Sequence, residues 1–183
     1  MNLGTIRWEN NSSINCQTNK ANEATIMSTP QLHINPISEK DEIPFHLLEL
    51  ADPSREHINS YLKNGTCYIA KLNSQSIGAL VLERVNETTL EIKNIAISES
   101  EQGKGYGKVL LTHAEELSRQ EGYKKLIIAT GNSSIGQLAL YQKAGFEIDG
   151  IEKNFFLENY IDPIFENGIQ CKHKIFLSKK LDS

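Results

Sequence analysis

The stretch Ile95-Ala-Ile-Ser-Glu-Ser-Glu-Gln-Gly-Lys-Gly-Tyr-Gly-Lys108 constrains this chain more than any other. An apolar run ends, glycines follow at 103, 105 and 107, and a helical pattern begins with Leu110, Ala114 and Leu117 on one side. Glycines let the backbone take positive φ and turn successive N–H groups toward one ligand. A helix start adds unpaired N–H groups and a partial positive charge, so such a junction favours phosphate. Lys104 and Lys108 fall in or beside the first turn, where a cation opposes the helix dipole. Two of them make sense beneath a bound anion; the plainer alternative is an ordinary turn with solvated lysines. Neither common nucleotide template fits. A P-loop needs Ser or Thr after Gly107-Lys108, and Val109 stands there. A dinucleotide fingerprint needs a third glycine where Lys108 stands.

The rest of the chain arranges itself around that junction. Residues 1–30 are polar and Asn-rich without a period of 2 or 3.6, and the expectation is a disordered tail, with Met27 as an alternative start. Order is expected from residue 31: a short strand at 33–37, then helices opening at Asp41 and Asp52, the second ended by Asn64-Gly65. Strands follow at 66–71, 76–82 and 90–97. After a helix from 105 to 121 come a strand at 125–130, a helix at 135–144, a strand at 146–151, a loop or short helix over 154–167 and a last strand at 169–177. Strands first and then a β-α-β-α-β run predict one α/β (α+β mixed) domain over 31–183, its mixed sheet covered by helices on both faces.

Composition removes other classes. The formal net charge of -4 argues against a nucleic-acid or anionic-membrane binder, and no apolar run is long enough to span a bilayer. Without a signal-like start, the expected location is cytoplasmic. Cys16, Cys67 and Cys171 show no zinc spacing, so no metal is expected, and the two in strand-like runs read as small core residues.

Gln102-Gly-Lys-Gly-Tyr-Gly107 resembles the Gln/Arg-x-x-Gly-x-Gly/Ala signature of the GNAT superfamily of N-acetyltransferases. Leu140-Tyr-Gln-Lys-Ala-Gly-Phe146 is similar to that family's Leu-Tyr-x-Lys-x-Gly-Phe. The likeness covers about residues 31–180 and is strongest to an uncharacterised bacterial branch, likened to small-molecule acetyltransferases. It implies a mostly antiparallel central sheet and acetyl-CoA as acyl donor. The amides of Gln102, Gly103, Lys104, Gly105, Tyr106 and Gly107 would hold the CoA diphosphate, with Lys104 or Lys108 adding charge. Backbone groups of Ile95, Ala96 and Ile97 would pair with the pantetheine arm. Many members carry Asn seven residues before the helix tyrosine; here Ser134 holds that place, and Asn132 is the nearby candidate cofactor contact.

Acetyl transfer to an amine poses two proton problems. The amine must lose a proton before attack, and the departing thiolate gains from receiving one. The resemblance makes Tyr141 the candidate acid, with a half-buried aromatic as the plain alternative. Glu91 is the candidate base, because strand alternation places 91, 93, 95 and 97 on one face; pairing with Lys93 is its plain alternative. Glu83, Glu158 and Glu166 are candidates to surround a cationic amine, and Phe155, Phe156 and Tyr160 to wall it. A small-molecule amine acceptor is expected over a protein, and the last strands leave room for a homodimer. The rivals are a non-catalytic acyl-CoA-binding domain of the same fold, a protein N-acetyltransferase, and a nucleotide-phosphate enzyme.

Overall fold

The computed structural model describes residues 32–38 and 41–181; the predicted N-terminal tail lies outside them. The chain runs β1 (Leu32–Pro36), α1 (Phe45–Leu48), α2 (Arg55–Leu62), β2 (Thr66–Leu72), β3 (Gln75–Arg84), β4 (Thr89–Ile97), α3 (Tyr106–Gln120), β5 (Lys125–Gly131), α4 (Ile135–Lys143), β6 (Glu147–Glu152), α5 (Phe155–Asn159), β7 (Phe165–Glu166), β8 (Ile169–Gln170) and β9 (Lys174–Lys180). Seven strands form one sheet in the order β1-β2-β3-β4-β5-β9-β6, and β7 pairs with β8 beside it. Neighbours in the large sheet are antiparallel except β4 and β5. The expected mixed, mostly antiparallel sheet is what forms.

Period-2 patterning in β3 explains why both faces are covered. Leu80 and Leu82 point into a cluster with Leu110, Leu111 and Ala114 of α3 and Tyr141 of α4. Ala79 and Val81 point the other way, onto Leu47 and Leu48 of α1 and Ile58 and Tyr61 of α2. Each fully buried leucine contributes about 1.5–3 kcal/mol, so each helix pair is fixed chiefly by its apolar stripe. Glycines at φ +83 (Gly122) and +89 (Gly145) follow the ends of α3 and α4.

Two departures from the expected elements matter for the site. Alternation in β4 is broken: Val81 pairs with Asn94 and Leu82 with Ile92, leaving Lys93 as an extra residue. Such a bulge bends the strand and exchanges its faces. Ile95 and Ile97 therefore pack into the α3/α4 cluster, whereas Glu91 stands opposite Glu83 on the α1/α2 side. The expectation that 91, 95 and 97 share a face is corrected by that one residue. The last strand is also not one run. Asn167 (φ +53) and Gly168 (φ +73) make the tight turn between β7 and β8, since consecutive left-handed residues form hairpin turns. Residues 171–173 then break the pairing before β9.

Parallel pairing of β4 with β5 covers only Thr89–Ile92 against Lys125–Ile128. Beyond it, Asn94–Ile97 stay with β3, while Ala129–Gly131 stay with β9. The sheet splits there, and the split opens the cleft described next.

Candidate active site

One cleft, with a cavity volume of about 1040 Å³, runs from the glycine junction through the split in the sheet to a lobe beneath α2 and α5. Its first end is made of backbone. Gly103 (φ +74) and Gly105 (φ +89) are left-handed, and a Cβ on either would meet no atom within 4 Å, so their conformation rather than crowding demands glycine. Gly105 caps α3 without any side-chain hydrogen bond. Among the described residues nothing accepts from the amides of residues 103 to 107, whereas Lys108 N and Val109 N donate to Gly105 O. Gln102 Nε2 donates to Ile97 O at 3.0 Å, tying the loop to the end of β4. Such a row of free N–H groups at a helix start fits a diphosphate. Lys108 borders the cleft, but Lys104 does not; its Nζ pairs with Glu101 at 3.0 Å instead.

The middle of the cleft is the split itself, bordered by Asn94–Ile97 on one side and Ile128–Gly131 on the other. Tyr141 reaches it from α4. Its side chain is 4% exposed, and burial pushes its phenol well above the usual tyrosine range, keeping the hydroxyl protonated across neutral pH.

The far lobe carries most of the charge. Lys93 Nζ sits between Glu91 Oε2 (3.3 Å) and Glu83 Oε2 (3.6 Å). Tyr160 donates from its hydroxyl to Asp52 Oδ1 at 3.2 Å and lies 3.0 Å from His57 Nδ1. Glu166 Oε2 accepts from the hydroxyls of Ser133 (3.0 Å) and Ser134 (2.5 Å). Asn94 is 3% exposed; its Nδ2 lies 2.9 Å from Leu48 O and 2.9 Å from Tyr61 Oη. A carbonyl oxygen can only accept, so the amide nitrogen faces Leu48. Among the described residues its buried Oδ1 is left without a donor, a state that costs about 1–3 kcal/mol unless a ligand supplies the hydrogen bond. Lys174 Nζ lies over the rings of Phe155 (4.5 Å) and Phe176 (5.1 Å). Phe155, Phe156 and Tyr160 stack edge-on or tilted at 5.1 to 6.4 Å and border the lobe.

The fold thus brings Glu91, Ile95, Ala96, Ile97, Gln102, Gly103, Gly105, Tyr106, Gly107, Lys108 and Tyr141 to one cleft. Asn132 is not among its lining residues. Its Oδ1 accepts from Lys172 N (2.7 Å) and His173 N (2.8 Å), its Nδ2 donates to Gln170 O (3.1 Å) and its backbone N–H to His173 O (3.0 Å). Its side chain and backbone N–H clamp the break between β8 and β9, so the residue expected as a cofactor contact is engaged there and does not border the cleft. Glu158 is exposed on α5, outside the cleft, unlike Glu83 and Glu166. Sequence reasoning missed Asp52, His57, Asn94 and Lys174. Asp52 looks like a helix opener and Lys174 like a cation inside the expected last strand, and neither carries a local mark of its distant partners. Among the described residues no group of three His, Cys, Asp or Glu is placed to hold a metal ion, and no helix is long and apolar enough to cross a membrane.

A family model described as Acetyltransferase (GNAT) family matches residues 34–146. The uncharacterized N-acetyltransferase YvbK of Bacillus subtilis (strain 168) is 44% identical over 151 residues, 82% of this chain and 97% of that protein. A GNAT family acetyltransferase from Elizabethkingia anophelis, solved with acetyl-CoA bound, is 49% identical with a TM-score of 0.81, over 82% of this chain and 98% of that one. The IAA acetyltransferase from Bacillus cereus ATCC 14579 is 46% identical with a TM-score of 0.79, over 82% and 100%.

Proposed function

The chain belongs to the acetyltransferase (GNAT) family and is an N-acetyltransferase with acetyl-CoA as its donor; from that premise we propose that it acetylates a small-molecule amine by direct attack in a ternary complex. The observation that carries the reading is the continuity of the cleft. Free backbone amides lie at one end, carboxylates and aromatic rings at the other, and the split of the sheet lies between.

The residues present fit the donor. Amides 103–107 and Lys108 would hold its diphosphate, and the β4 edge at Ile95–Ile97, left unpaired by the split, would pair with its amide-bearing arm as a strand edge does. Bound there, acetyl-CoA supplies an acyl group activated as a thioester. Glu91 takes the proton that the attacking amine sheds. Asn94 Oδ1 accepts the other amine hydrogen and gains the partner it lacks. Tyr141 gives its phenolic proton to the sulfur as the carbon–sulfur bond breaks, and both groups reset by exchange with water. The bulge at Lys93 is what lets Glu91 and Asn94 share the acceptor side while Ile95 and Ile97 turn toward the other.

A thiol-release assay with acetyl-CoA against a library of small amines and N-terminal peptides tests this. Release with small amines, and little with peptides, is expected. Release with peptides alone would make the acceptor a protein. Tight acetyl-CoA binding without release on any acceptor would point to a non-catalytic domain.

A further inference from the structure

The acceptor lobe holds two lysines in different states. Lys93 is shared by Glu83 and Glu91. Lys174 begins β9, paired across the sheet with Gly131 and Glu152, and its Nζ is held by two ring faces. Among the described residues no carboxylate comes within 4.0 Å of it. Ring faces orient an ammonium, but they replace only part of the water it gives up. Burial, and secondarily the neighbouring Lys93, push its pKa down, while Glu91, Glu152 and Asp52 act the other way from longer range. A cation kept in a cleft in this condition is set to receive an anion.

That anion cannot be the diphosphate of the donor, whose cradle lies at the other end of the cleft. It has to come from the acceptor. Resting on the small-amine reading above, we propose that Lys174 binds a carboxylate on the acceptor, so that the acceptors are amino acids rather than polyamines or simple amines. A bare diamine would bring a second cation against Lys174. An amino acid places a negative group there and presents its amine toward Glu91 and Asn94. Phe155 and Phe156, both part-buried and bordering the lobe, offer the apolar wall for its side chain. This is an arrangement of opposite charges matched to a zwitterion, where mismatched analogues are rejected because buried groups lose their partners.

The test uses the full-length protein and acceptors that differ only in the carboxylate: phenylalanine, phenylalaninamide and phenethylamine, with spermidine as the polyamine. A charge-assisted hydrogen bond is worth about 1.5–3 kcal/mol, or about 10- to 100-fold. Phenylalanine is therefore expected to exceed its amide in kcat/KM by that factor, with spermidine poorest. Lys174→Met, which keeps an apolar stem beneath the rings, is expected to bring the ratio close to 1, and Lys174→Arg to retain most of it. Equal rates for acid and amide in the native protein, or a ratio that survives in Lys174→Met, would overturn the proposal. Calorimetry on the CoA-bound protein separates this failure from failure of the acetyltransferase reading. N-acetylphenylalanine should bind at least tenfold tighter than its amide, and only when Lys174 or Arg is present. Equal binding of acid and amide ends the carboxylate assignment whatever the turnover.

Discussion

Tyr141 is almost fully enclosed, and its hydroxyl is protonated at any pH where the protein works, because burial disfavours the phenolate. A thiolate, conjugate to a thiol of pKa about 8.5, is a weaker base than this phenolate, so the transfer runs uphill and has to accompany carbon–sulfur cleavage, with the phenolate quickly reprotonated. Tyr141→Phe keeps the ring that packs near Phe146 at 6.3 Å and deletes only the acid. Turnover at saturating acetyl-CoA is expected to fall about 100-fold or more, with the KM for acetyl-CoA little changed. A loss below about tenfold would reduce the residue to a wall of the cleft. Glu91 makes the complementary case. Glu91→Gln retains an oxygen opposite Glu83 and removes the base, so turnover at neutral pH should drop by about 100-fold. It should recover as rising pH supplies deprotonated amine, a rescue that a merely structural ion pair with Lys93 would not show. Glu91 was legible as a carboxylate in an apolar strand. Asn94 was not: nothing in the sequence says that its amide nitrogen meets Leu48, 46 residues away.

At the scale of elements, the glycine junction was readable because its information is local. Three glycines between a strand and a helix prescribe backbone angles without reference to the rest of the chain. The structure sharpens which glycine does what. At Gly105 an alanine would meet no neighbouring atom but would be held at φ +89, costing about 1–2 kcal/mol. Gly105→Ala should therefore lower thermal stability modestly and raise the KM for acetyl-CoA severalfold as the loop relaxes out of its cradle. At Gly107 the added Cβ meets only Leu140 Cδ2 at 3.5 Å, with φ on the ordinary side, and alanine favours a helix by up to about 1 kcal/mol over glycine. Gly107→Ala should leave the melting temperature level or raise it, and any increase in KM there reports a ligand that needs bare backbone. The bulge in β4 and the break at 171–173 were not legible. A bulge exists only relative to the partner strand's register. The break hides inside the run 169–177, which reads as one strand, and it is settled by Asn132 Oδ1 accepting from the amides of 172 and 173.

Over the whole molecule, the order of strands and helices followed from periodicity. The acceptor lobe did not, because its contacts join residues such as His57 and Tyr160, 103 positions apart. The same burial that builds the lobe and core also sets how the protein responds to alkali. Tyr61, Tyr141 and Tyr160 have phenols pushed well above their ordinary range, in each case chiefly by burial. The Cys67 thiol, beneath α1 and α2, is pushed up to about 11 by the same cause. Each group holds its proton more tightly when folded than when unfolded. Its contribution is fully present below the unfolded pKa and is lost as pH rises toward the folded one, because over that span the unfolded chain binds fewer protons. For Cys67 the loss begins near pH 9 and is complete near 11, a fall of about 2–3 kcal/mol at 1.36 kcal/mol for each unit. The tyrosines add to it from about pH 10 upward. Urea midpoints should accordingly hold level from pH 7 to 8.5 as far as these four groups are concerned, and decline steeply beyond 10. Cys67→Ala should flatten the portion between 9 and 10 while leaving the steeper tyrosine part in place, at the cost of a small cavity beneath α2. Midpoints of the native protein that stay constant through pH 11 would mean that these side chains ionise as freely folded as unfolded, and that α1 and α2 do not seal the acceptor side of the sheet.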